Sequence, residues 1–356
     1  MELAYRGVKL PYSNNIKNEL NKASNRLFQK ISETNISELP ISEEMKSYYS
    51  GKLMALKNNL TKYSYHLGLA LSSNDKYYKD WTIIDYGGGT GLLGLLAKEL
   101  GVKTVIYNDI NETFTSDART FANKLNLESD YYVPGNFGVL LNFINENSII
   151  CDTIISYDVI EHIYDIRSFF KDLNFINDKS LTIVMSTGAN KFNPFKLKTI
   201  IPIQKSVENG DKNGLYFGRK PYLKRREEII KDYMPGLAPI DLKKLSKCTR
   251  GMIKEDILKV SDYFVTNHQI PVSPEHPTNT CDPITGMGTE NLIKPNELKT
   301  ILIEKKFKVK VLTGYYGYPS NKLKRYISTT LNTFLSVVGK RGLFIAPYWT
   351  IYAVKV

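Results

Sequence analysis

The feature that most constrains the fold is a glycine-rich turn between two apolar runs. Trp81–Ile84 predicts a buried strand, and Leu92–Leu100 predicts a helix. Between them lies Asp85-Tyr-Gly-Gly-Gly-Thr-Gly91. Glycine adopts positive φ without steric cost and lets the backbone approach a ligand closely. A strand, a glycine turn and a helix in this order predict a nucleotide-binding turn.

Two kinds of cofactor fit this turn. Gly89–Gly94 matches G-x-G-x-x-G, which favours NAD or FAD, whereas Asp85–Gly91 matches D-x-G-x-G-x-G, which favours S-adenosylmethionine. A diphosphate would sit at the helix N-terminus, where the carboxylate of Asp85 would repel it. S-adenosylmethionine has no phosphate, and its ammonium and sulfonium groups suit a neighbouring acid. The acid therefore favours S-adenosylmethionine, with a dehydrogenase as an alternative.

The segments that follow fit a sheet with alternating helices. Lys103–Tyr107 predicts a second strand that ends at Asp109, whose carboxylate can accept both ribose hydroxyls or cap the next helix. Three further predicted strands are Tyr131–Val133, Cys151–Tyr157 and Leu181–Ser186. Strands that alternate with helices predict a doubly wound, mostly parallel α/β sheet. Ligands of such sheets bind at the carboxyl ends of the strands.

The residues after the third strand have two interpretations. Asn136 and Phe137 follow a Pro-Gly pair, so a polar group could meet the amino edge of adenine and an apolar one its face. The alternative is a Pro-Gly turn with Phe137 packed in the core.

At this point the chain resembles a known family. Asp85–Gly91, Asn108-Asp109 and Tyr157-Asp-Val-Ile-Glu-His162 are similar to the ordered motifs of class I S-adenosylmethionine-dependent methyltransferases. The Val-Ile-Glu-His segment is similar to that of the ubiquinone-biosynthesis-like, small-molecule branch. The resemblance covers Trp81 to about Asn190. It implies a Rossmann-like sheet with an antiparallel C-terminal edge, and S-adenosylmethionine as cofactor.

The resemblance also implies roles for individual residues. Asp85 and the glycines would hold the methionine end of the cofactor, and Asp109 would hold the ribose. Asn136 and Phe137 would flank adenine, with Tyr157 at the pocket wall. The family often has an acid where Asn136 stands, although an asparagine can still accept a hydrogen bond from adenine. The glycines concerned are Gly87, Gly89 and Gly91.

Four segments are expected along the chain. Residues 1–80 form a helical cover, with helices over Asn18–Ile31 and Ser42–Ser72. Residues 81–190 form the cofactor-binding core. Residues 191–292 form a substrate-binding insertion, and residues 293–356 complete the sheet.

The insertion is expected to contain helices over Tyr222–Tyr233 and Asp241–Tyr263 and a lid loop over His268–Asn291. The last segment is expected to contain a helix over Pro295–Lys306, a strand over Lys308–Leu312, a helix over Lys322–Val338 and a strand over Trp349–Val356.

Composition narrows the class of protein. Apolar residues make up 42% of the 356 residues, enough for a sizeable core. The three cysteines form no paired spacing, and no apolar signal or membrane-spanning segment is visible, which predicts a soluble, cytoplasmic protein without a metal site. The net charge of +12 is compatible with nucleic acid, an anionic membrane surface or an anionic, nucleotide-linked acceptor. No RNA-binding signature supports nucleic acid. The basic segment Arg219–Arg226 is either a clamp for an anionic acceptor or a solvated helix start.

Methyl transfer needs alignment and, for some acceptors, a general base. His162, His268 and His276 are the candidate bases, whereas His66 is expected to be structural or at the surface. Several tyrosines offer aromatic surface with hydroxyls, which suits sugars or aromatic metabolites. They are Tyr216, Tyr222, Tyr263, Tyr315 and Tyr316. The expected acceptor is a hydroxyl or an amine of a polar small molecule, such as a sugar or a natural-product intermediate. An RNA methyltransferase and a non-catalytic S-adenosylmethionine-binding subunit remain alternatives.

Overall fold

A computed structural model of the chain describes residues 7–73, 77–177, 179–211, 219–270, 279–317, 319 and 321–356. The chain divides into two compact units. The first consists of Met1–Val159, Phe170–Ser186 and Pro295–Val356, and the second of Ile160–Phe169 and Thr187–Lys294.

The strands and helices follow one another in an alternating order. The strands are β1 (Thr82–Tyr86), β2 (Thr104–Asp109), β3 (Tyr131–Pro134), β4 (Thr153–Tyr157), β5 (Thr182–Thr187), β6 (Phe307–Thr313) and β7 (Trp349–Lys355). The helices are α1 (Asn14–Ser32), α2 (Glu43–Met54), α3 (Leu56–Leu71), α4 (Leu92–Leu100), α5 (Glu112–Lys124), α6 (Phe137–Glu146), α7 (Ile166–Asp172), α8 (Pro194–Asn209), α9 (Tyr222–Tyr233), α10 (Pro239–Cys248), α11 (Lys254–Asn267), α12 (Pro295–Glu304) and α13 (Lys322–Val338).

The strands form one sheet in the order β3-β2-β1-β4-β5-β7-β6. β1 pairs in parallel with β2 and β4, and the pairs β2–β3 and β4–β5 are also parallel. β6 and β7 pair antiparallel at the edge. The predicted fold class, a Rossmann-like sheet that is mostly parallel with an antiparallel C-terminal edge, is therefore confirmed. Parallel register brings the carboxyl ends of β1, β2 and β4 to one side of the sheet, where ligands of such folds bind.

The core of the first unit lies between the sheet and three helices. α1, α3 and α4 pack against one another and contribute Leu20, Leu60 and Leu96, each fully buried. Trp81, directly before β1, is fully buried in the same cluster. The apolar run before the glycine turn therefore anchors the edge of the core, and α3 belongs to the packed body of this unit.

The predicted helix over Ser42–Ser72 is wrong in one respect, because two helices occupy this range. The break is at Ala55, whose backbone (φ −113°, ψ 21°) is not helical. No glycine or proline marks this position, so the sequence carries no local breaker signal. The break ends α2, which carries Tyr48 and Tyr49, and starts α3, which carries Tyr63 and His66.

The second unit contains α8 to α11. α9 has the predicted bounds, but the single helix predicted over Asp241–Tyr263 is wrong, since α10 and α11 are separated at Thr249–Ile253. Gly251 adopts φ +73° in this break, a conformation that a helix cannot contain. α8 was not predicted, although Asn193 and Pro194 form a favourable helix start in which the Asn193 side chain accepts from Phe195 N and Lys196 N.

In the described ranges, no helix has the length and apolar character that crossing a bilayer requires.

Candidate functional site

The glycine loop after β1 adopts the backbone that its sequence predicts. Gly87, Gly89 and Gly91 have φ of +66°, +52° and +70°. A Cβ on Gly87 would lie 2.5 Å from Val159 Cγ2, and one on Gly89 would lie 3.2 Å from Tyr48 Cε1. The first contact is too short for any side chain. The loop therefore requires glycine both for its conformation and for the close approach of neighbouring side chains.

Asp85 lies beneath this loop and not beside it. Its side chain is almost fully buried, and Oδ2 accepts a hydrogen bond from Gly94 N in the first turn of α4 at 2.9 Å. Burial raises the pKa of Asp85 to about 7, the bond from Gly94 opposes this rise, and the charge of Asp109 adds to it. The carboxylate thus ties strand to helix, and its ionised form would gain stability from a nearby cation.

Asp109, the last residue of β2, holds the other side of the loop. Its Oδ2 accepts from Gly89 N at 2.9 Å, and its Oδ1 accepts from Asn111 N at 2.9 Å. Burial raises the pKa of the carboxyl, while the bonds from Asn111, Gly89 and Ile110 lower it. Asn111 is the residue that caps α5, by accepting from Phe114 N at 3.2 Å. The helix-cap alternative for Asp109 is therefore wrong, and the three backbone bonds leave the carboxylate acceptor capacity for a further donor.

Asn136 and Phe137 lie in different surroundings. Asn136 is exposed, and its Oδ1 caps α6 by accepting from Val139 N at 3.2 Å. Phe137 is buried and packs edge-on against Tyr86 with 5.9 Å between the ring centroids. Phe137, the first residue of α6, is thus a core residue that packs against the end of β1. The cap leaves the amide nitrogen of Asn136 as a donor group at the surface.

Tyr157, the last residue of β4, belongs to a cluster of rings. His66 lies edge-on to Tyr157 at 5.1 Å, Tyr63 at 5.8 Å, and Tyr348 at 5.8 Å. Lys62 Nζ stands 5.4 Å from the Tyr157 ring centroid, within cation–π range. Two further members, Tyr65 and Tyr315, complete what we call the tyrosine–histidine cluster: Tyr63, Tyr65, His66, Tyr157, Tyr315 and Tyr348.

His66 is fully buried, so its expected place at the surface is wrong and the structural alternative is correct. Its Nδ1 lies 2.7 Å from Lys62 O, and its Nε2 forms a hydrogen bond with Ser186 Oγ. Ser186 Oγ in turn lies 2.6 Å from Thr350 Oγ1. Burial lowers the pKa of His66 to about 4, so the ring is neutral at physiological pH. The ring joins α3 to β5 and β7.

The predicted helical cover reaches the loop through aromatic side chains of α2, which the sequence analysis did not single out. The ring of Tyr48 lies against Gly89 and is stacked with Phe114 at 5.9 Å. Tyr49 donates its hydroxyl to Thr90 O at 2.7 Å. Burial raises the pKa of Tyr63, and the charges of Tyr48 and Asp85 add to that rise. The usable signal is the run of aromatic residues within the helix predicted over Ser42–Ser72.

The candidate bases have different surroundings. His162, in the second unit, donates its Nδ1 proton to Gly288 O at 2.9 Å, because a carbonyl only accepts. His268 is exposed, has φ +54° and ends α11 through a bond from its backbone N–H to Phe264 O. His276 lies outside the described residues, as does Tyr216.

The basic segment Arg219–Arg226 is not an open anion clamp. Arg226 is fully buried against Glu208, and Arg225 Nη1 lies 2.6 Å from Asp282 Oδ2. Two lysines of the segment also meet carboxylates of their own helix, as Lys220–Glu228 and Lys224–Glu227, each at 2.7 Å. The clamp interpretation is wrong for these four side chains, since their charges are balanced internally.

The other tyrosines proposed for the acceptor are also mainly packing groups. Tyr315 is buried between Tyr65 and Tyr348, and Tyr316 donates its hydroxyl to Ile345 O. Tyr222 is partly buried, and Tyr263 is exposed. Among the described residues, no cluster of three or more histidines, cysteines and acids could hold a metal ion.

The residues around the loop fit S-adenosylmethionine. The glycines leave open backbone beside α4, Asp109 has spare acceptor capacity for hydroxyls, and Asp85 is a buried carboxylate that a cation would stabilise. The carboxylate of Asp85, beneath the loop, opposes a diphosphate.

Searches with protein-family models and against curated proteins found no match. Three solved structures are among those to which the chain is similar. A putative S-adenosylmethionine-dependent methyltransferase from Listeria monocytogenes is 13% identical over 83% of this chain and 98% of that chain, with a TM-score of 0.40. The plantazolicin methyltransferase BpumL in complex with SAH is 13% identical over 96% and 99%, with a TM-score of 0.39.

The third is SMU.776, a putative methyltransferase complexed with SAH, which is 13% identical with a TM-score of 0.31. The match covers 40% of this chain and only 38% of that chain's length. At this level of identity and overlap, the matches by themselves assign neither a substrate nor a residue role to the chain.

The raised pKa of Asp85 predicts a pH-dependent stability. Between pH 3.8 and about 7 the folded protein holds a proton that the unfolded chain has lost, so this contribution to the free energy of unfolding falls as pH rises through that window. We expect Asp85→Asn to gain stability over the wild type between about pH 4 and pH 8, by up to about 4 kcal/mol. Urea unfolding at several pH values measures this difference. Asp130→Asn, which removes a carboxylate that accepts from Val105 N, is the control. A difference that stays constant with pH would contradict the assignment.

The lowered pKa of His66 predicts that its contribution to the free energy of unfolding changes with pH in the opposite direction. Because its folded-state pKa is about 4 against 6.5 unfolded, the unfolded chain takes up a proton that the folded protein cannot, and stability is lost as pH falls from about 6.5 towards 4. We expect His66→Gln to be destabilised near neutral pH, with a deficit that shrinks by up to about 3 kcal/mol across this window. The exposed His268→Gln is the control. Parallel unfolding curves for His66→Gln and wild type would argue against a buried neutral ring.

Proposed function

We propose that the chain is an S-adenosylmethionine-dependent methyltransferase that methylates a hydroxyl or an amine of a polar small molecule. The single observation that carries the proposal is the pair of carboxylates around the glycine loop, Asp85 bonded to Gly94 N and Asp109 bonded to Gly89 N. The sheet order and the position of the loop at the carboxyl end of β1 support it.

The electrostatics of this pair discriminate between cofactors. Burial raises the pKa of each carboxyl, and the charge of Asp109 raises the pKa of Asp85 further. The two ionised carboxylates therefore repel each other unless a positive charge lies nearby. A diphosphate would add negative charge to the same region, whereas a sulfonium and an ammonium would relieve the repulsion. An acid at the place of Asp109 also binds the ribose in dinucleotide folds, so it is the buried carboxylate of Asp85 that favours a cationic cofactor over NAD or FAD.

The residues of the loop have separate tasks in this proposal. S-adenosylmethionine, when bound, supplies the electrophilic methyl group. Asp109 accepts the ribose hydroxyls with the lone pairs that Gly89 N and Asn111 N leave open. The glycines and Asp85 hold the methionine end, and Tyr48 excludes water from the loop at Gly89. Asn136 and Tyr157 line the adenine side and the pocket wall, and Phe137 supports this region through Tyr86.

His162 is the general base in this proposal. Gly288 O fixes the tautomer by accepting from Nδ1, which leaves Nε2 able to take a proton from the acceptor. In sequence His162 closely follows Tyr157 and Asp158, at the end of β4. His268 instead has a backbone role at the end of α11 and an exposed ring. His276 stays a prediction.

The acceptor class follows from the chain's composition. A sugar or a similar natural-product intermediate suits the many tyrosine hydroxyls, and the net charge of +12 suits an anionic or nucleotide-linked form of it. The Arg219–Arg226 segment no longer supports the anionic form, because four of its cations are paired. The cytoplasmic location and the segment boundaries stay predictions.

The role of Asp109 can be tested by binding. We expect S-adenosylhomocysteine, measured by calorimetry, to bind the wild type and to lose roughly 1–3 kcal/mol of binding free energy in Asp109→Asn, because a charged acceptor of two hydroxyls is removed. Asp130→Asn should bind as the wild type. Equal affinity of Asp109→Asn and wild type would refute the ribose role, and stabilisation by NADH alone in a thermal shift would remove the methyltransferase proposal.

The role of His162 can be tested by turnover. With radiolabelled S-adenosylmethionine and a small-molecule extract, we expect His162→Asn to lower kcat by about 10²–10⁴-fold while binding S-adenosylhomocysteine as the wild type does. Asparagine can still donate to Gly288 O but cannot accept a proton. His268→Asn should keep wild-type kcat. Full activity of His162→Asn would assign the proton to another group or to solvent.

A further inference from the structure

The outer face of α13 carries a stripe of exposed apolar side chains. Counted from Leu323, Ile327 or Phe334, its members recur three, four or seven residues apart along the helix, which places them on one face. Val337 is 81% exposed, Tyr326 73% and Leu323 69%. The stripe consists of Leu323, Tyr326, Ile327, Phe334 and Val337, and Phe344 in the turn after the helix extends it with 50% exposure.

The opposite face of α13 holds the helix to its own unit. Asn332 and Leu335 are buried there, and the Asn332 side chain bonds both Tyr316 N at 2.8 Å and Tyr316 O at 3.0 Å. On the flank, Ser336 Oγ donates to Gly7 O at 2.8 Å. The helix is therefore fixed by one face, and the apolar stripe points away from the packing that secures it. The exposed stripe therefore takes no part in the contacts that fix α13 to this unit.

The charge of this region has one sign. Asn321–Phe344 contains five cations and no acid: Lys322, Lys324, Arg325, Lys340 and Arg341. Arg325 Nε donates to Pro319 O at 3.3 Å, and the other four side chains are exposed. Among the described residues, none of those four enters an ion pair, in contrast to the internally balanced segment Arg219–Arg226. The cations lie at both ends of the stripe.

We propose that the outer face of α13 lies in the plane of an anionic lipid surface, with the apolar stripe inserted among the headgroups and the flanking cations on the lipid phosphates. An amphipathic helix with lysine and arginine around its apolar face binds membranes in this way. Each cation near an anionic surface contributes attraction that salt screens. No membrane-spanning segment is needed for this mode of contact.

A second copy of the chain is a less suitable occupant. One helix face with about six apolar side chains is much smaller than the roughly 20–30 residues per partner of a stable interface. Two copies would also bring their uncompensated cations together, which is unfavourable. An anionic surface instead satisfies both the stripe and the charge.

Vesicle co-sedimentation of the full chain tests the proposal. The vesicles are phosphatidylcholine alone or with about 30% phosphatidylglycerol. We expect binding to the anionic vesicles only, and loss of that binding as salt is raised. The variant Lys322→Gln/Lys324→Gln should bind about 10-fold more weakly, and Leu323→Gln/Val337→Gln at least about 5-fold more weakly.

Matched controls separate the surface from general effects. Ile150→Gln removes an apolar side chain of 72% exposure elsewhere on the same unit, and Lys103→Gln/Lys124→Gln removes two exposed lysines. Both should bind as the wild type. Tyr326→Gln is a second apolar variant in case the double variant does not fold, which far-UV circular dichroism shows.

The proposal requires weaker binding to anionic vesicles both in the lysine variant and in the apolar variants. It is overturned if the wild type does not bind anionic vesicles at low salt, or if either the lysine or the apolar variants bind as the wild type. It is also overturned if sedimentation velocity shows a dimer that Leu323→Gln/Val337→Gln converts to a monomer, because the stripe would then be an interface between copies. None of these outcomes depends on methyl transfer.

Discussion

The candidate site depends on a buried carboxylate beneath a glycine loop. Asp85 at the end of β1 receives the N–H of Gly94, so the first turn of α4 is fixed to the strand and the intervening loop must reverse within a few residues. Three glycines with positive φ make that reversal possible. The cost is a carboxyl whose pKa burial raises to about 7. Whatever binds at this loop meets that charge, and a cationic ligand offsets it where an anion would add to it.

The N-terminal helices are part of the site and not only a cover. α2 brings Tyr48 onto Gly89 and Tyr49 onto the carbonyl of Thr90, and α3 brings Tyr63 against Tyr157. His66 fastens α3 to the sheet through Ser186. The sheet therefore supplies acids and glycine backbone, while the helices supply the rings that enclose them. Because His66 is held neutral and Asp85 is held at a raised pKa, the enclosure has opposing dependences on pH.

Much of the fold could be predicted from local sequence. Leu92–Leu100, Tyr222–Tyr233 and Lys322–Val338 are helices with the predicted bounds, since each has a periodic apolar pattern between clear ends. The errors fall where local signals were absent or were not used. Ala55 breaks a helix without glycine or proline, whereas Asn193-Pro194 carried a start signal for α8 that was overlooked. The sequence predicted one part of the candidate site, which is the position of Asp85, Asp109 and the glycines at the carboxyl ends of β1 and β2. This was possible because parallel pairing follows from alternating strands and helices.

The sequence by itself determined the order of strands and helices and the place of the glycine loop, because these depend on apolar periodicity and on the conformations that only glycine tolerates. The tertiary structure alone decided which charges are balanced and which side chains are buried. Arg226 meets Glu208, a contact between residues on different helices, and His66 meets Ser186 across the unit's core. Composition and spacing do not encode such pairings, since they arise only when segments distant in sequence pack together. The exposed stripe of α13 shows the same limit, because its periodicity fixes a face while the packing of Asn332 and Leu335 decides which face is buried.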